Sequence, residues 1–280
     1  MQYEFVETKT EQNIFLNGFY LNKNNDACAV FIPGLAGNFM EQHLFAHVLA
    51  EKCLKNNIDF LFTHHQGSFQ IMSFPLLNQD GTRSNILRGA AYENFDDCVY
   101  DLDAWMQFVS KYNRVYLICH SLGCNKTVHY LQSKFPKNLA KVVLLAPQDN
   151  VNFPNLPIHQ EMLKEAKENI SNGASDKLLS NKLLGFCVIS SKSFFDLMTN
   201  TKINNIPYRT KGNTMPALKN IQCPTLAIIG SQEDEKATEY MQKVADALPN
   251  GKSAVIPNAN HMFKGQETEL AETVIPFLLA

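Results

Sequence analysis

A serine lies at the centre of the pentapeptide Cys119-His120-Ser121-Leu122-Gly123, between an apolar run and a helix-like segment. A β-branched run, a tight turn centred on serine and then a helix form a nucleophile elbow. The turn is so sharp that the residues two before and two after the serine must be small. Gly123 meets that need, and Cys119 is one of the smallest side chains apart from glycine, the usual occupant. The pattern therefore predicts that Ser121 is a nucleophile.

A serine hydroxyl needs a base, and His261 is the best candidate in this chain. Serine is a weak nucleophile until its proton is removed, and histidine titrates in the range that this task requires. The stretch Pro257-Asn258-Ala259-Asn260-His261 follows the last predicted strand and precedes the last predicted helix. We therefore expect the histidine to lie above the sheet edge to which the elbow serine also points.

The other seven histidines fit this role less well. His120 is inside the elbow, where its side chain should point away from the nucleophile. His64 and His65 follow a strand and could line the pocket, but as a metal pair they would need a further ligand, so no metal site is expected. The remaining four fall in helical patterns and are expected on the surface or in packing contacts: His43, His47, His129 and His159.

The base in turn needs a carboxylate to fix its tautomer and to stabilise the imidazolium ion. The run Gly230-Ser231-Gln232-Glu233-Asp234-Glu235 follows a buried strand and gives the chain order Ser, acid, His. Glu233 has the commoner spacing from the glycine, whereas Asp234 has the commoner residue type, and we favour Asp234. Asp149, which follows the preceding strand, is a third possibility.

A glycine-rich turn, Pro33-Gly34-Leu35-Ala36-Gly37, follows an early strand and could supply an oxyanion hole. Such a turn can direct backbone N–H groups at a substrate oxygen, which often contributes two or three orders of magnitude in rate. We expect the N–H groups of Leu35 and of Leu122, the residue after the serine, to be these donors.

Composition limits the class of protein. The chain has 280 residues, is 45% hydrophobic and carries a formal net charge of −2, so it can bury a large core and offers no electrostatic basis for binding nucleic acid or an anionic membrane. The first residues resemble no secretory signal, and no apolar run is long enough to span a membrane. Seven scattered cysteines without a Cys-Xaa-Xaa-Cys pair indicate a reducing compartment, and we expect the cytoplasm.

Hydrophobic periodicity predicts strands that alternate with helices along most of the chain. Strands are predicted at 3–8, 13–22, 27–32, 58–62, 114–119, 139–146, 224–230 and 253–256. Helices are predicted at 39–55, 93–110, 122–134, 236–248 and 266–279, and the stretch 66–92 is predicted to be a long irregular loop.

The alternation predicts an α/β protein with a mostly parallel central sheet and helices on both faces. Segment 148–220 interrupts it with amphipathic stretches at roughly 158–171 and 175–199. We therefore divide the chain into a core, residues 1–147 and 221–280, and a helical cap inserted over one edge, residues 148–220.

Taken together, these motifs resemble the α/β-hydrolase superfamily over nearly the whole length of the chain. The oxyanion turn, the elbow, the acid loop and Asn260-His261 occur in the order of that family. A weaker likeness, around Tyr92–Leu102 and Gly123–Lys126, is to a group of small serine esterases, some of which cleave siderophore esters. The departures are Cys119 at a glycine position, Pro33 where histidine is more usual, and the offset acid.

The resemblance implies a serine hydrolase that cleaves a carboxylic ester without a cofactor. Ser121 would attack, His261 would act as base and then acid, and Asp234 would orient it. A thioesterase, an amidase or an acyltransferase would use the same residues, and a ligand-binding sensor with little turnover is the alternative of another class. The apolar side chains of the cap favour a small-molecule substrate with an acyl or aryl group.

Overall fold

The computed structural model describes residues 2–39, 44–212 and 214–280. Its main sheet has eight strands in the spatial order β1-β2-β4-β3-β7-β8-β9-β10. Their bounds are β1 Glu4–Lys9, β2 Phe15–Leu21, β3 Ala27–Ile32, β4 Ile58–Thr63, β7 Arg114–His120, β8 Leu139–Leu145, β9 Thr225–Gly230 and β10 Gly251–Ile256. The six strands from β4 to β10 in this spatial order run parallel, and β1 and β2 extend the sheet antiparallel at one edge.

Seven α-helices accompany the strands in the described parts of the chain. They are α1 Leu44–Lys55, α2 Cys98–Phe108, α3 Leu122–Ser133, α4 Pro157–Ser171, α5 Ser191–Thr199, α6 Ala237–Ala247 and α7 Glu267–Leu279. The predicted helix at 39–55 begins at Leu44 here, and residues 40–43, which include His43, lie outside the described residues. None of the seven has both the length and the apolar composition that a membrane span requires.

The helices cover both faces of the sheet, as the alternating pattern predicts. Helices α1 and α7 pack together on one face, over an apolar core that includes Phe45, Leu49 and Val274. Helices α2, α3 and α6 pack on the other face around Trp105 and Val128. Because both faces are covered, strands β3 and β4 are buried at every residue, which explains their continuous apolar runs. The predicted fold class is confirmed.

The stretch 66–92 is more regular than predicted. It contains an antiparallel hairpin, β5 Met72–Leu77 and β6 Arg83–Arg88, which forms a separate two-stranded sheet. Pro75 lies in β5 opposite Asn85. A proline within a short apolar run usually argues against a strand, but it is tolerated in an edge strand such as this one.

Segment 148–220 lies between β8 and β9 and contains α4 and α5. The first predicted helical stretch is α4, but the second is wrong over most of its length, because only α5 is helical. Residues 175–190 instead form turns that are closed by bridges between Leu178 and Ser190 and between Leu183 and Cys187. The tight turn at Leu184 and Gly185, with φ of 52° and 77°, is incompatible with a helix.

Candidate active site

Ser121 stands between the last residue of β7 and the first residue of α3. Its backbone has φ 54° and ψ −126°, a combination that non-glycine residues rarely adopt. Two backbone hydrogen bonds hold this conformation: Ser121 N donates to Leu145 O over 2.9 Å, and Cys124 N donates to Ser121 O over 2.9 Å. The strand-turn-helix geometry of a nucleophile elbow is therefore present.

Steric contacts explain why the residues two before and two after the serine are small. A Cβ atom at Gly123 would lie 2.5 Å from the carbonyl oxygen of Ile32 and 2.6 Å from that of Pro33. These are backbone atoms that cannot move aside, so only glycine fits. Cys119, two residues before the serine, is fully buried, and its Sγ lies 3.0 Å from Thr127 Oγ1. The space there admits a thiol.

His261 lies in the loop that follows β10, and it contacts the serine. Its Nε2 is 3.0 Å from Ser121 Oγ, and its Nδ1 is 2.6 Å from Glu233 Oε2. His120 Nε2 lies 2.9 Å from the carbonyl oxygen of His261 and so helps to hold this loop against the elbow. The imidazole is 39% exposed and the Glu233 side chain 12%, so the carboxylate is the more sheltered partner.

The structure corrects the expected acid, because Glu233 and not Asp234 contacts His261. Asp234 instead lies 3.5 Å from the Nε of Arg209, and its other oxygen accepts from Lys236 N over 2.9 Å. Glu233 N donates to Gly230 O over 3.1 Å, and this turn brings the third residue after the glycine to the histidine.

Asp149, the third carboxylate considered, is also directed elsewhere. Its oxygens accept from the backbone N–H groups of Val151, over 3.1 Å, and of Arg209, over 2.6 Å. It makes no hydrogen bond to His261 in the described part of the chain.

A close approach of two loops brings Glu233 to His261. A Cβ atom at Gly230 would lie 2.2 Å from the carbonyl oxygen of Ala259, in the loop that carries the histidine. Glycine is therefore required at the end of β9, because any larger residue would push the carboxylate loop away from the imidazole.

The glycine-rich turn lies directly beside the nucleophile. Gly37 N donates to Gly34 O over 3.1 Å, and Ala36 has a φ of 54°. A Cβ atom at Gly34 would lie 2.9 Å from Ser121 Cβ, which accounts for glycine at this position. Leu35 lines the same cavity as Ser121.

Leu122 is the first residue of α3 and also lines this cavity. N–H groups in the first turn of a helix have no intrahelical acceptor, so they are free to bind a ligand. Leu35 and Leu122, the residues expected to supply the oxyanion donors, thus both line the cavity that contains the serine.

A cavity of about 330 Å³ opens above Ser121 and His261. Its apolar wall comes mostly from segment 148–220, which contributes Phe153, Leu183, Leu184, Phe186 and Leu197. Leu35, Ala36, Leu122 and Met262 complete it. Its polar wall consists of Asn38, Gln70, Gln148 and Asn150. These polar residues come from three stretches that are distant in sequence, and the sequence motifs assign none of them a role.

His64 and His65, which the sequence left as possible pocket residues, are not among the residues that line this cavity. His64 is 4% exposed and His65 is 1% exposed. Burial lowers the pKa of His64 to about 4 and that of His65 well below its ordinary value, so both are neutral at pH 7. No cluster of three potential metal ligands occurs among the residues that the structure describes.

Comparisons with known proteins agree with this geometry. Residues 91–191, which include the elbow, match the family model described as serine hydrolase. A 64-residue stretch is 39% identical to the Mycobacterium tuberculosis protein named "Putative non-heme bromoperoxidase BpoC". That stretch is 22% of this chain and only about a quarter of the relative (24%).

Several solved structures share the whole fold at low sequence identity. Est1E from Butyrivibrio proteoclasticus with bound ferulic acid is 14% identical with a TM-score of 0.63, and the match covers 98% of each chain. Mouse alpha/beta hydrolase domain-containing protein 10 is 15% identical with a TM-score of 0.65 over 99% of this chain and 98% of that one. Carboxylesterase CesB from Bacillus subtilis is 14% identical with a TM-score of 0.58 over 99% and 92%.

The fold and the family match agree with each other. The chain has the α/β-hydrolase fold, and residues 91–191 match the serine-hydrolase family model.

Proposed function

We propose that this protein is a serine hydrolase that cleaves a carboxylic ester through an acyl-enzyme, with Ser121, His261 and Glu233 as its triad. One observation carries the proposal: Ser121 Oγ, the two ring nitrogens of His261 and Glu233 Oε2 form a continuous chain with steps of 3.0 and 2.6 Å. A nucleophile, a base and an orienting carboxylate within hydrogen-bond reach are what acyl transfer requires.

The first half-reaction forms the acyl-enzyme. Ser121 Oγ attacks the ester carbonyl while its proton passes to His261 Nε2. Glu233 accepts from Nδ1–H, which fixes the tautomer and stabilises the imidazolium ion. The imidazolium then returns the proton to the departing alkoxide as the carbon–oxygen bond breaks.

The second half-reaction uses water as the nucleophile. His261 removes a proton from water, which attacks the acyl carbonyl and releases the acid and Ser121. In both halves the N–H groups of Leu35 and Leu122 would hold the oxyanion. Donors of this kind contribute most where negative charge develops in the transition state.

We further propose that segment 148–220 is the cap and that it selects apolar acyl or aryl groups. Support comes from Leu183, Leu184 and Phe186, which line the same cavity as Ser121 and His261. Est1E, with the same fold, has been solved with ferulic acid, an aryl acid. All these steps use protein groups alone, so we propose no cofactor, and the substrate is a small molecule rather than a nucleic acid or a membrane.

We also propose that the protein resides in a reducing compartment, the cytoplasm, because its cysteines form no disulfides. All seven are unpaired and buried in the structure.

Labelling with a fluorophosphonate probe tests the proposal. The wild-type protein should be labelled, whereas Ser121→Ala should lose both labelling and hydrolysis of p-nitrophenyl esters, by several orders of magnitude. Ser110→Ala, a change at an exposed serine, is the matched control and should keep both. Labelling that survives in Ser121→Ala would reject Ser121 as the nucleophile.

A comparison of three kinds of acyl substrate decides which type of bond is cleaved. Acyl p-nitrophenyl esters, acyl thioesters and acyl anilides of one chain length should show the ester turned over fastest. A wild-type protein that takes the probe but turns over none of them would fit the sensor alternative.

A further inference from the structure

Gln66 is a buried residue that the proposed mechanism does not use, in the loop that leads to the oxyanion turn. It is 1% exposed, and its side chain binds three other residues. Nε2 donates to Asp101 Oδ1 and to Gln12 Oε1, each over 2.9 Å, and Oε1 accepts from Arg88 Nε over 3.0 Å. Helix α2, the N-terminal hairpin and strand β6 therefore meet at one side chain.

Asp101 holds the backbone of Gln66 as well as its side chain. Gln66 N donates to Asp101 Oδ2 over 2.9 Å, so both carboxylate oxygens bind the same residue. Gln66 O accepts from Gly89 N over 2.8 Å. The conformation of the chain at position 66 is thus fixed from both sides.

The loop that begins at Gln66 is bonded directly to the oxyanion turn. Phe69 N donates to Ala36 O over 3.0 Å, and Ser68 forms a bridge with Ala36. Ala36 is the residue with positive φ in the Gly34–Gly37 turn. The orientation of the Leu35 N–H depends on this turn, so it depends on where the loop places Phe69 N.

The buried surroundings of Asp101 disfavour the charged form of its carboxyl group. It is 1% exposed, and burial raises the pKa of its carboxyl to about 7. The neighbouring charged or titratable groups are His65, whose Nδ1 is 3.9 Å away, and the buried pair of Lys126 and Glu93. A buried carboxylate lowers stability unless its interactions compensate, and the hydrogen bonds of Asp101 are made to Gln66.

We propose that Asp101 is a positioning residue for the oxyanion hole: through Gln66 and Phe69 it fixes the turn that presents the Leu35 N–H. The inference rests on the proposed function. It adds a residue in helix α2 that touches neither substrate nor Ser121 and acts through the loop Gln66–Phe69.

The variant Asp101→Asn tests the proposal, with Asp103→Asn as matched control. Asp103 lies on the same helix but binds Lys134 near the surface. Loss of a whole oxyanion donor costs 10²–10³ in rate, and a donor that is only loosened should cost roughly tenfold in kcat for a p-nitrophenyl ester. KM should stay within about twofold, because the substrate-binding wall is unchanged. Asp103→Asn should keep the kcat of the wild type.

The affinity for an alkyl trifluoromethyl ketone inhibitor provides a second test of the oxyanion hole. Ser121 Oγ adds to the ketone carbonyl, His261 takes the serine proton, and the carbonyl oxygen becomes an oxyanion. Affinity for this adduct should fall roughly tenfold in Asp101→Asn, in parallel with kcat. A loss of thermal stability with kcat and inhibitor affinity unchanged would overturn the proposal.

Amide hydrogen exchange separates this proposal from the proposed function, since it needs no turnover. Exchange in the Gly34–Gly37 turn should accelerate by about tenfold in Asp101→Asn and not in Asp103→Asn. If the wild type proves inactive while this exchange rises, the link from Asp101 to the turn stands and the esterase assignment fails. Unchanged exchange would overturn the link.

Should Asp101→Asn fail to fold, Gln66→Met takes its place. It keeps the backbone N–H bond to Asp101 and removes the side-chain bonds, with a side chain of similar length. The same decrease in kcat at constant KM is expected, and a folded Gln66→Met protein with wild-type kcat would reject the proposal.

Discussion

Glu233 and Asp234 are neighbours in sequence but bind different partners. Glu233 lies against His261, whereas Asp234 lies against Arg209. Asp149 accepts from the backbone of the same arginine. The two carboxylates that do not reach the histidine thus meet at one residue, which joins the end of the cap segment to the acid loop.

This arrangement predicts an asymmetry between two conservative substitutions. Glu233→Gln should lower kcat by roughly 10⁴, as the corresponding aspartate-to-asparagine change does in serine proteases, because the histidine loses its orienting charge. Asp234→Asn should lower kcat by less than about tenfold. Steady-state kinetics on one p-nitrophenyl ester measures both, and the reverse order would return the acid role to Asp234.

The cap should set acyl-chain selectivity through Phe186. Phe186 lines the cavity and is half exposed, so Phe186→Ala should remove contact with longer acyl chains. The ratio of kcat/KM between long and short acyl esters should fall by 10-fold or more, because each methylene in an apolar pocket is worth about 1–3 kcal/mol.

Phe194→Ala is the matched control for that experiment. Phe194 is fully buried within segment 148–220, where its ring packs against His159, and it does not line the cavity. Its loss should destabilise the protein by about 3–5 kcal/mol and leave the chain-length profile unchanged. If Phe186→Ala keeps the parent profile, the turn at Leu183–Cys187 is not the specificity element.

Gly123→Ala should damage the elbow. The added methyl would lie 2.5 Å from Ile32 O, so either β3 or the start of α3 must move. A displacement of about 1 Å at the nucleophile can cost 10²-fold in rate. Fluorophosphonate labelling rate and thermal unfolding should both decline. Gly173→Ala is a suitable comparison because its position is open, although its φ of 74° adds some strain.

His64 should make stability depend on pH. Its folded-state pKa of about 4 is below the ordinary value of 6.5. The neutral imidazole therefore contributes fully to the free energy of unfolding above pH 6.5, and this contribution is lost as the pH falls towards 4. Between pH 7 and pH 5 this costs about 2 kcal/mol. Urea unfolding at both pH values, for the wild type and His64→Asn, should show a smaller decrease in the variant. An equal decrease would mean that His64 is already protonated in the folded state.

The elbow at Ser121, the loop that carries His261 and the sheet could be predicted from the sequence because each is encoded locally. Ser121 is recognisable from its flanking strand and helix, and β3 from its continuous apolar run. The acid could not be chosen in the same way. Glu233 and Asp234 are both at the right edge of the sheet, and only the turn closed by the Glu233–Gly230 hydrogen bond decides which one faces His261.

Other features depend on contacts between segments distant in sequence. Periodicity predicts a helix across 175–199, yet a turn with positive φ at Leu184 divides this stretch. The β5–β6 hairpin has no clear strand pattern in the sequence, because Pro75 and Gly81 are typical of loops. The bonds from Asp101 to Gln66 join residues 35 positions apart, and no local pattern announces them.

The way in which segment 148–220 is fastened determines how a substrate can reach Ser121. Ser190 N donates to Ala91 O over 2.8 Å, and Val188 N donates to Gln70 Oε1 over 3.3 Å. These two hydrogen bonds attach the segment to residues 66–92. Lifting the whole segment would break these bonds and expose the apolar cluster around Met162. Bending the tip at Leu183–Cys187 breaks the two backbone hydrogen bonds between those residues, of 2.8 and 3.0 Å, and detaches only these two side chains from the cluster. Substrate admission and product release should therefore involve this five-residue tip rather than the whole segment, and its opening rate would then limit turnover.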